Sequence, residues 1–402
     1  MRTKQEFSER FAKYLDGDGE LFQRSPKYAA RTIDIVVTES CNLNCSYCYE
    51  SSKGSGKVMT RETGRRVVDQ ILSNSSIRKY LDPDGGARAL VLDFIGGEPL
   101  LQIDLIDYIC DYFKYQVYKQ NHQFQNYMFS MSTNGTLYHD AAVQKFIRKN
   151  KGRLSVTISI DGDKELHDAC RVFHDGTGSH GVVEANVRRA VKEIGLNSTK
   201  VTIAPENLRY LSANIPYLVS LGLTAVNANV VFENVWKPKD AELFYSELIK
   251  LADWLIEDRH YESCDISLFS ERIGLPLTPE DNNNWCGGTG LMLAVGTDGG
   301  LYPCIRYMRY CLANQPELRI GNVCDGITEQ RTIQELNAIT RRSQSADECF
   351  NCPVASGCAW CSGYNYDCFG TPNKRATFIC GMHKARVKAN EYYWTKLREA
   401  EK

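Results

Sequence analysis

The 402-residue sequence predicts an α/β fold: a partial (β/α)6 barrel of TIM type followed by a cysteine-rich C-terminal region. Three observations predict it. Strand-like and helix-like segments alternate six times between Arg31 and about His260. Polar and cysteine motifs fall at the C-terminal ends of successive strands, as at the mouth of a barrel. From Cys286 onward helical periodicity fades, and Gly, Cys and turn residues dominate up to Cys380.

The elements follow in order. Thr32 to Val37, rich in β-branched residues, reads as the first strand. Thr60 to Tyr80 reads as one helix with Thr60 as its N-cap. Ala89 to Ile95 is the second strand and Ile103 to Lys119 its helix. Met128 to Ser132 is the third strand, with a helix over His139 to Lys149. Leu154 to Ile160 is the fourth, followed after a loop by a helix from Val182 to Glu193. Lys200 to Ala204 and Ala225 to Phe232 are the fifth and sixth strands, each with a helical segment after it. The right-handed crossover rule makes such a series either a doubly wound sheet or a barrel. The resulting division is an N-terminal extension (1–30), a barrel (31–260), a bridge (261–285), a cysteine-rich domain (286–382) and a C-terminal helix (383–402).

Composition excludes several classes. With 48 basic and 49 acidic residues the formal charge is −1, which points to neither nucleic acid nor an anionic membrane as the partner. No apolar run approaches the roughly 20 residues that span a bilayer. Met1 to Lys27 lacks the apolar core of a signal peptide, so a cytoplasmic protein is expected. Sixteen cysteines in such a compartment do not make a disulfide framework. Most of them lie beyond position 285, and tight clusters of this kind point to metal.

Directly after the first strand comes Cys41-Asn42-Leu43-Asn44-Cys45-Ser46-Tyr47-Cys48. Three thiolates in one short loop can hold three irons of a cubane cluster and leave the fourth iron open. A three-cysteine zinc site is the competing reading; it needs a fourth ligand, and none lies close in sequence. The second strand ends in Gly96-Gly97-Glu98-Pro99. Two glycines permit close backbone approach to a ligand, and Glu98 offers a carboxylate to an ammonium group. Ser132-Thr133-Asn134-Gly135 closes the third strand and Ser159-Ile160-Asp161-Gly162 the fourth.

The Cys-x-x-x-Cys-x-aromatic-Cys loop and the glycine motif together resemble the signatures of the radical S-adenosylmethionine (SAM) superfamily. The resemblance implies a four-iron cluster on Cys41, Cys45 and Cys48, with SAM bound at its open iron. It implies SAM contacts from Gly96, Gly97 and Glu98, from Asn134, Ser159 and Arg171, and from Tyr47 beside the adenine. Arg suits a carboxylate because its fork pairs bidentately. Val230 and Val231 could line the adenine pocket, and core packing explains them equally well. The implied chemistry is reductive cleavage of SAM to methionine and a 5′-deoxyadenosyl radical, which takes hydrogen from a substrate carbon.

Further on, Cys286, twelve residues, Gly299, four residues and Cys304 precede Cys349-x-x-Cys352, Cys358-x-x-Cys361 and Cys380. This resembles the SPASM extension of peptide-modifying radical SAM enzymes, although two residues rather than three separate Cys358 from Cys361. The resemblance implies two auxiliary four-iron clusters, three [4Fe-4S] clusters in all. Cys349, Cys352, Cys358 and Cys380 would hold the outer one, and Cys286, Cys304 and Cys361 the inner one. A fourth inner ligand would be Cys264, Cys311, Cys324 or Cys368, or the site is open to a substrate sulfur. Paired Cys-x-x-Cys units are also a zinc spacing, so a zinc-holding scaffold is the non-enzyme alternative.

The SPASM resemblance implies a peptide substrate, and the stretch from Ser159 to Gly178, with His167-Asp168-Ala169-Cys170-Arg171, resembles maturases that install thioether crosslinks in ribosomally made, cysteine-containing precursor peptides. Sulfatase-type oxidation of Ser or Cys, epimerisation and carbon–carbon crosslinking are the alternatives within the same radical chemistry. In the sulfatase-maturing members an acidic base directly follows the cysteine matching Cys304; here that residue is Ile305. Only about 30 residues precede the first strand, too few for a winged-helix leader-binding domain. Leader recognition is expected from another surface or a separate protein, and electrons from a donor such as flavodoxin or ferredoxin.

Overall fold

In the computed structural model, placement is described for residues 30–401 apart from 51–55, 84, 86, 88, 121–123, 125, 271, 278–285 and 291. The expected N-terminal extension, except Ala30, and the end of the bridge lie outside the described residues.

The sheet is arranged around β1 (Ala30–Thr38). Its alternate residues Ile33, Ile35 and Val37 are completely buried in the helix-covered core, which turns Asp34 and Val36 to the opposite face. On one side β1 pairs in parallel with β2 (Ala89–Gly96), which continues to β3 (Asn126–Thr133) and β4 (Leu154–Ser159). β5 (Ser198–Ile203), β6 (Ala225–Val230) and the short β7 (Asp265–Ile266) extend the sheet, all parallel. On its other side β1 pairs in parallel with β8 (Leu293–Val295). The antiparallel series β9 (Gly300–Tyr302), β10 (Gly321–Asn322) and β11 (Gly326–Ile327) follows. The cysteine-rich region therefore contributes strands to the same sheet as the strand–helix units. The order is linear, with β11 and β7 at its two ends.

The segment expected as one helix over 60–80 is two, α1 (Arg61–Ser73) and α2 (Ser75–Leu81). Thr60 caps the first, its hydroxyl accepting from Thr63 N–H at 3.0 Å. Asn74 interrupts the run because its side chain accepts from the N–H groups of Ser76 (2.9 Å) and Ile77 (3.3 Å), restarting the helix. The remaining crossovers are α3 (Ile103–Gln120), α4 (Ala141–Lys149), α5 (Lys164–Cys170), α6 (His180–Ile194), α7 (Leu211–Ser220) and α8 (Pro238–Glu257). The short, seven-residue α5 occupies what the sequence predicts as loop.

Beyond the sheet, α9 (Gln330–Asn337) and α10 (Ser362–Phe369) lie within the cysteine-rich region. A second hydrophobic cluster joins that region to the barrel part: Val36 and Ala294 pack with Tyr302, Tyr307, Met308 and Tyr310. The last helix, α11 (Cys380–Ala400), begins at Cys380 rather than at His383 and packs along α8. Among the described residues no helix is long and apolar enough to cross a membrane.

Asn390 on α11 ties the bridge to this helix pair. Its side chain accepts from Ser270 N–H (2.8 Å) and donates to the carbonyls of Leu268 (3.0 Å) and Arg386 (2.9 Å), at 2% exposure. Asn390→Ala leaves buried backbone groups unpaired and is expected to cost about 2–3 kcal/mol, measured by urea unfolding.

Candidate active site

The cysteine loop leaves β1 at Thr38 and takes its shape from its neighbours. Gly96 has a φ of 145°. A Cβ there would lie 2.1 Å from the Thr38 carbonyl oxygen, and one on Gly97 would lie 2.3 Å from that of Ser40 and 2.8 Å from the Cys41 nitrogen. Backbone cannot yield as a side-chain end can, so both positions require glycine. The N–H groups of Gly97 and Glu98 donate to the carbonyls of Thr38 (3.1 Å) and Ser40 (2.9 Å). The close approach these glycines make among the described residues is thus to the cysteine loop.

Glu98 is 1% exposed, and its carboxylate accepts from Leu100 N–H (3.0 Å), Thr133 Oγ1 (2.7 Å) and Asn134 N–H (2.7 Å). The carboxylate that the sequence assigned to a ligand's ammonium is therefore taken up by donors of the protein. Burial raises its pKa, and the three hydrogen bonds act against that rise. Asn134, fixed in this way, donates through Nδ2 to Asn42 Oδ1 (2.8 Å) and towards Cys41 Sγ (3.8 Å). Cys41 Sγ also accepts from Leu43 N–H at 3.4 Å.

A strap from α5 holds the loop from the other side. Asn44 N–H donates to the Val172 carbonyl (2.7 Å) and Ser46 N–H to that of Cys170 (3.0 Å). His174 Nε2 lies 2.8 Å from the Cys41 carbonyl. Arg171, within the strap, was expected to clamp a ligand carboxylate. Its fork instead meets Asp161, Nε to Oδ2 at 2.8 Å and Nη2 to Oδ1 at 3.4 Å. The Tyr47 hydroxyl donates to the same carboxylate, and the guanidinium sits 5.3 Å from the Tyr47 ring centre. Burial pushes the Asp161 carboxyl up, but the Arg171 charge and hydrogen bonds hold it below the usual carboxylate range.

Sequence reasoning quoted Asp161 only as a strand end; the signal was an acid ten residues before an arginine. It also gave His167 no role of its own. Its Nδ1 accepts from Asp161 N–H (3.3 Å), so Nε2 carries the hydrogen and donates to Ser179 Oγ (3.0 Å), which donates to the Arg171 carbonyl (2.8 Å). Burial pushes this imidazole down to about 4, so it stands neutral. Ser159 ends β4 half-buried, and Val230 is half-buried against the main core.

In the cysteine-rich region each of the two predicted sets has members that act on one another through space. Cys304 and Cys361 are pushed up chiefly by burial, and each also feels Cys286. Ser362 Oγ lies 3.0 Å from Cys286 Sγ. Cys349 and Cys358 are pushed up by burial, lowered by Arg375 and raised by Cys380; Cys352 acts on Cys349. Of the four extra cysteines, buried Cys311 feels both Cys304 and Cys48, whereas Cys368 hydrogen-bonds Tyr364. Cys324 is exposed beside Arg66 (3.3 Å), and Cys264 packs at the edge of the main core. Arg306 joins the parts: it pairs with Glu233 at 2.9 Å and lies 4.9 Å from the ring centre of Tyr49 and 5.7 Å from that of Tyr364.

Residues 35–210 match the radical SAM superfamily. The chain carries a radical SAM domain. An uncharacterized protein of Methanocaldococcus jannaschii is 30% identical over 209 residues, 52% of this chain, and the match spans 63% of that relative's length. A cysteine-type anaerobic sulfatase-maturating enzyme of Clostridium novyi is 23% identical over 81% of this chain and 83% of its own. Among solved structures, anSMEcpe with bound AdoMet is similar with a TM-score of 0.63 at 19% identity, covering 92% of this chain and 99% of that one. Streptococcus suis SuiB bound to its precursor peptide SuiA is similar with a TM-score of 0.56 at 14% identity, over 87% and 75%. At these identities the structural likeness shows the fold.

A radical SAM domain implies SAM and a [4Fe-4S] cluster, and the donor set fits the cluster. Three thiols stand on one loop, and Cys41 Sγ receives two N–H groups of the kind that stabilise a cluster sulfur. Burial pushes the Cys41 thiol up to about 12, so the thiolate exists there only with metal charge beside it. Among the described residues no three His, Cys, Asp or Glu side chains converge as for a single ion. A cubane asks for wider spacing, because each thiolate binds its own iron.

Asp161→Ala strands the buried Arg171 charge and is expected to cost about 3–5 kcal/mol in urea unfolding at pH 7. The folded carboxyl is depressed, so this contribution is full above the ordinary carboxylate range and is lost as pH falls through the folded value. The two proteins are expected to converge in strong acid.

Proposed function

We propose that the chain is a radical SAM peptide maturase that joins a cysteine sulfur of a ribosomally made precursor peptide to a carbon of another residue. The observation that carries this reading is the gathering of Cys286, Cys304 and Cys361, with apolar, half-buried Ile305 where the sulfatase-maturing pattern has an acid. In this reading Cys41, Cys45 and Cys48 hold the cluster that binds SAM. Bound there, the pair supplies reductive cleavage of SAM and a radical that takes hydrogen from the peptide.

The chain's own residues do the positioning. Gly96 and Gly97 fix the loop, Tyr47, Asn134 and Ser159 border the SAM pocket, and Glu98 and Arg171 act through the neighbours they hold. Cys349, Cys352, Cys358 and Cys380 hold an outer auxiliary cluster, and Cys286, Cys304 and Cys361 an inner one. Cys311 is the fourth inner ligand in this reading, since the Cys304 charge acts on it. Another surface of the chain or a separate protein takes up the leader, and a ferredoxin or flavodoxin supplies electrons.

A second reading is sulfatase-type oxidation of a Ser or Cys side chain. The Clostridium novyi relative, aligned over most of its length, supports it.

The test is anaerobic incubation of reconstituted enzyme with SAM, reductant and a cysteine-bearing peptide encoded beside it. Loss of one hydrogen molecule per crosslink, with thioether fragmentation, is expected. An aldehyde product selects the second reading, and unchanged peptide mass overturns both. A variant with Cys41, Cys45 and Cys48 changed to Ala is expected to release no deoxyadenosine and to lose about a third of roughly twelve irons per chain.

A further inference from the structure

The face of the sheet turned away from the helices carries two carboxylates that the account above leaves unused. Asp34 in mid-β1 and Asp93 in mid-β2 are register partners, so their side chains stand next to each other on one face. Ser130 of β3 continues the row. The same face of β1 carries Val36, over which the cysteine-rich region packs. Cys304 packs against the same cluster as Val36, which sets the inner cysteine region over the face of β1 that carries Asp34.

Asp34 is 5% exposed and has no hydrogen-bond partner among the described residues. Asp93 takes a hydrogen bond from Ser130, but its Oδ1 is fully buried with none. No basic side chain among the described residues ion-pairs with either. The nearest cation in effect is Lys200 on β5, whose Nζ is engaged by Ser132 Oγ at 2.8 Å and which acts on both acids through space. Two carboxylates against one shared ammonium cannot both ionise without leaving a negative charge uncompensated. A buried charge without a partner is among the costlier arrangements a fold can retain. Burial first, and Asp93 second, push Asp34 up to about 8, so it is mainly protonated at neutral pH and ionises there only when a further cation comes beside it. Asn in either place would have the same shape without the charge.

We propose that Asp34 and Asp93 form a cation-binding subsite that takes the ammonium or guanidinium of a basic side chain in the peptide substrate. The subsite holds the peptide across the inner face of the sheet, next to the inner cysteine set, and so selects peptides with a basic residue near the modified one. Naming a peptide as the source of the cation rests on the maturase reading; the cation preference itself does not.

n-Butylammonium chloride, 1-butanol and sodium chloride at matched concentration serve as probes of reconstituted full-length enzyme, read as the shift in thermal midpoint. Butylammonium is expected to raise the midpoint saturably in the wild type. Its apparent dissociation constant is expected to weaken at least tenfold in Asp34→Asn and in Asp93→Asn. Either variant suffices if the other does not fold, and exchanging a buried carboxyl for an amide of the same shape is expected to leave the fold intact. Equal response to butanol or sodium, or an unchanged response in a folded variant, overturns the proposal. If a peptide is modified but norleucine in place of its basic residue leaves KM unaltered, the subsite fails and the maturase reading stands. If butylammonium binds as expected but no peptide is modified, the reverse holds.

Discussion

Backbone packed directly against backbone, where β2 ends beside the cysteine loop, is the constraint on which the site depends. Eight residues with three cysteines have no regular structure of their own to fix them. Gly96 and Gly97 let the Thr38–Cys41 backbone come within contact distance, and two N–H groups lock it there. The strap at 170–174 does the same from the β4 side. The loop is therefore defined by long-range contacts, and the thiols inherit their positions from two crossovers that lie 50 and 130 residues downstream.

This division explains the roles of the buried charges. Glu98 and Arg171 look from the sequence like groups that face a ligand, Glu98 as a charge at the end of a strand and Arg171 as a carboxylate-pairing fork in the segment after the fourth strand. Both turn inward, Glu98 to Thr133 and Asn134, Arg171 to Asp161. A buried ion pair of this kind contributes little net stability against a hydrophobic alternative, yet breaking it on one side is costly. Its benefit is geometric. Asp161 receives Arg171 and Tyr47 together, so the strap and the cysteine loop share one anchor, while His167 and Ser179 tie the backbone of Asp161 to that of Arg171.

Most of the architecture was legible in the sequence, because alternating β-branched runs and amphipathic segments are read locally. β1 to β6 and their helices lie within a few residues of where the pattern puts them. The break at Asn74 was missed because the apolar spacing continues across it, and only the side-chain capping bonds reveal the restart. The pairing of β8 with β1 was missed for a different reason. Leu293–Val295 is too short to have a period, and its partner lies some 260 positions away, so nothing local announces it. At the site, residue types and spacing identified the thiols and the glycines. Hydrogen-bond partners could not be read, because Asp161 and Asp34 differ in the sequence from any other strand acid only by what the fold places opposite them.

That shared sheet bears on how the two parts act together. Had the cysteine-rich region been a separate globule, its cysteines could drift relative to the radical SAM domain. Instead β8 continues β1 by main-chain hydrogen bonds, and Val36, two residues along from Asp34, is part of the region's own hydrophobic cluster. Arg306 adds a side-chain tie, reaching Glu233 beyond β6 and the ring of Tyr49 just past Cys48. One strand thus serves three purposes. Its helix-facing residues build the core, its C-terminal end launches the cysteine loop, and its other face carries both the seam with the cysteine-rich region and an unpaired carboxylate. A shift of β1 by one residue would exchange those faces, burying Ile35 where Asp34 stands and turning the loop's first residue away. The register that holds the core therefore also helps to set where the inner cysteine set stands relative to the cysteine loop.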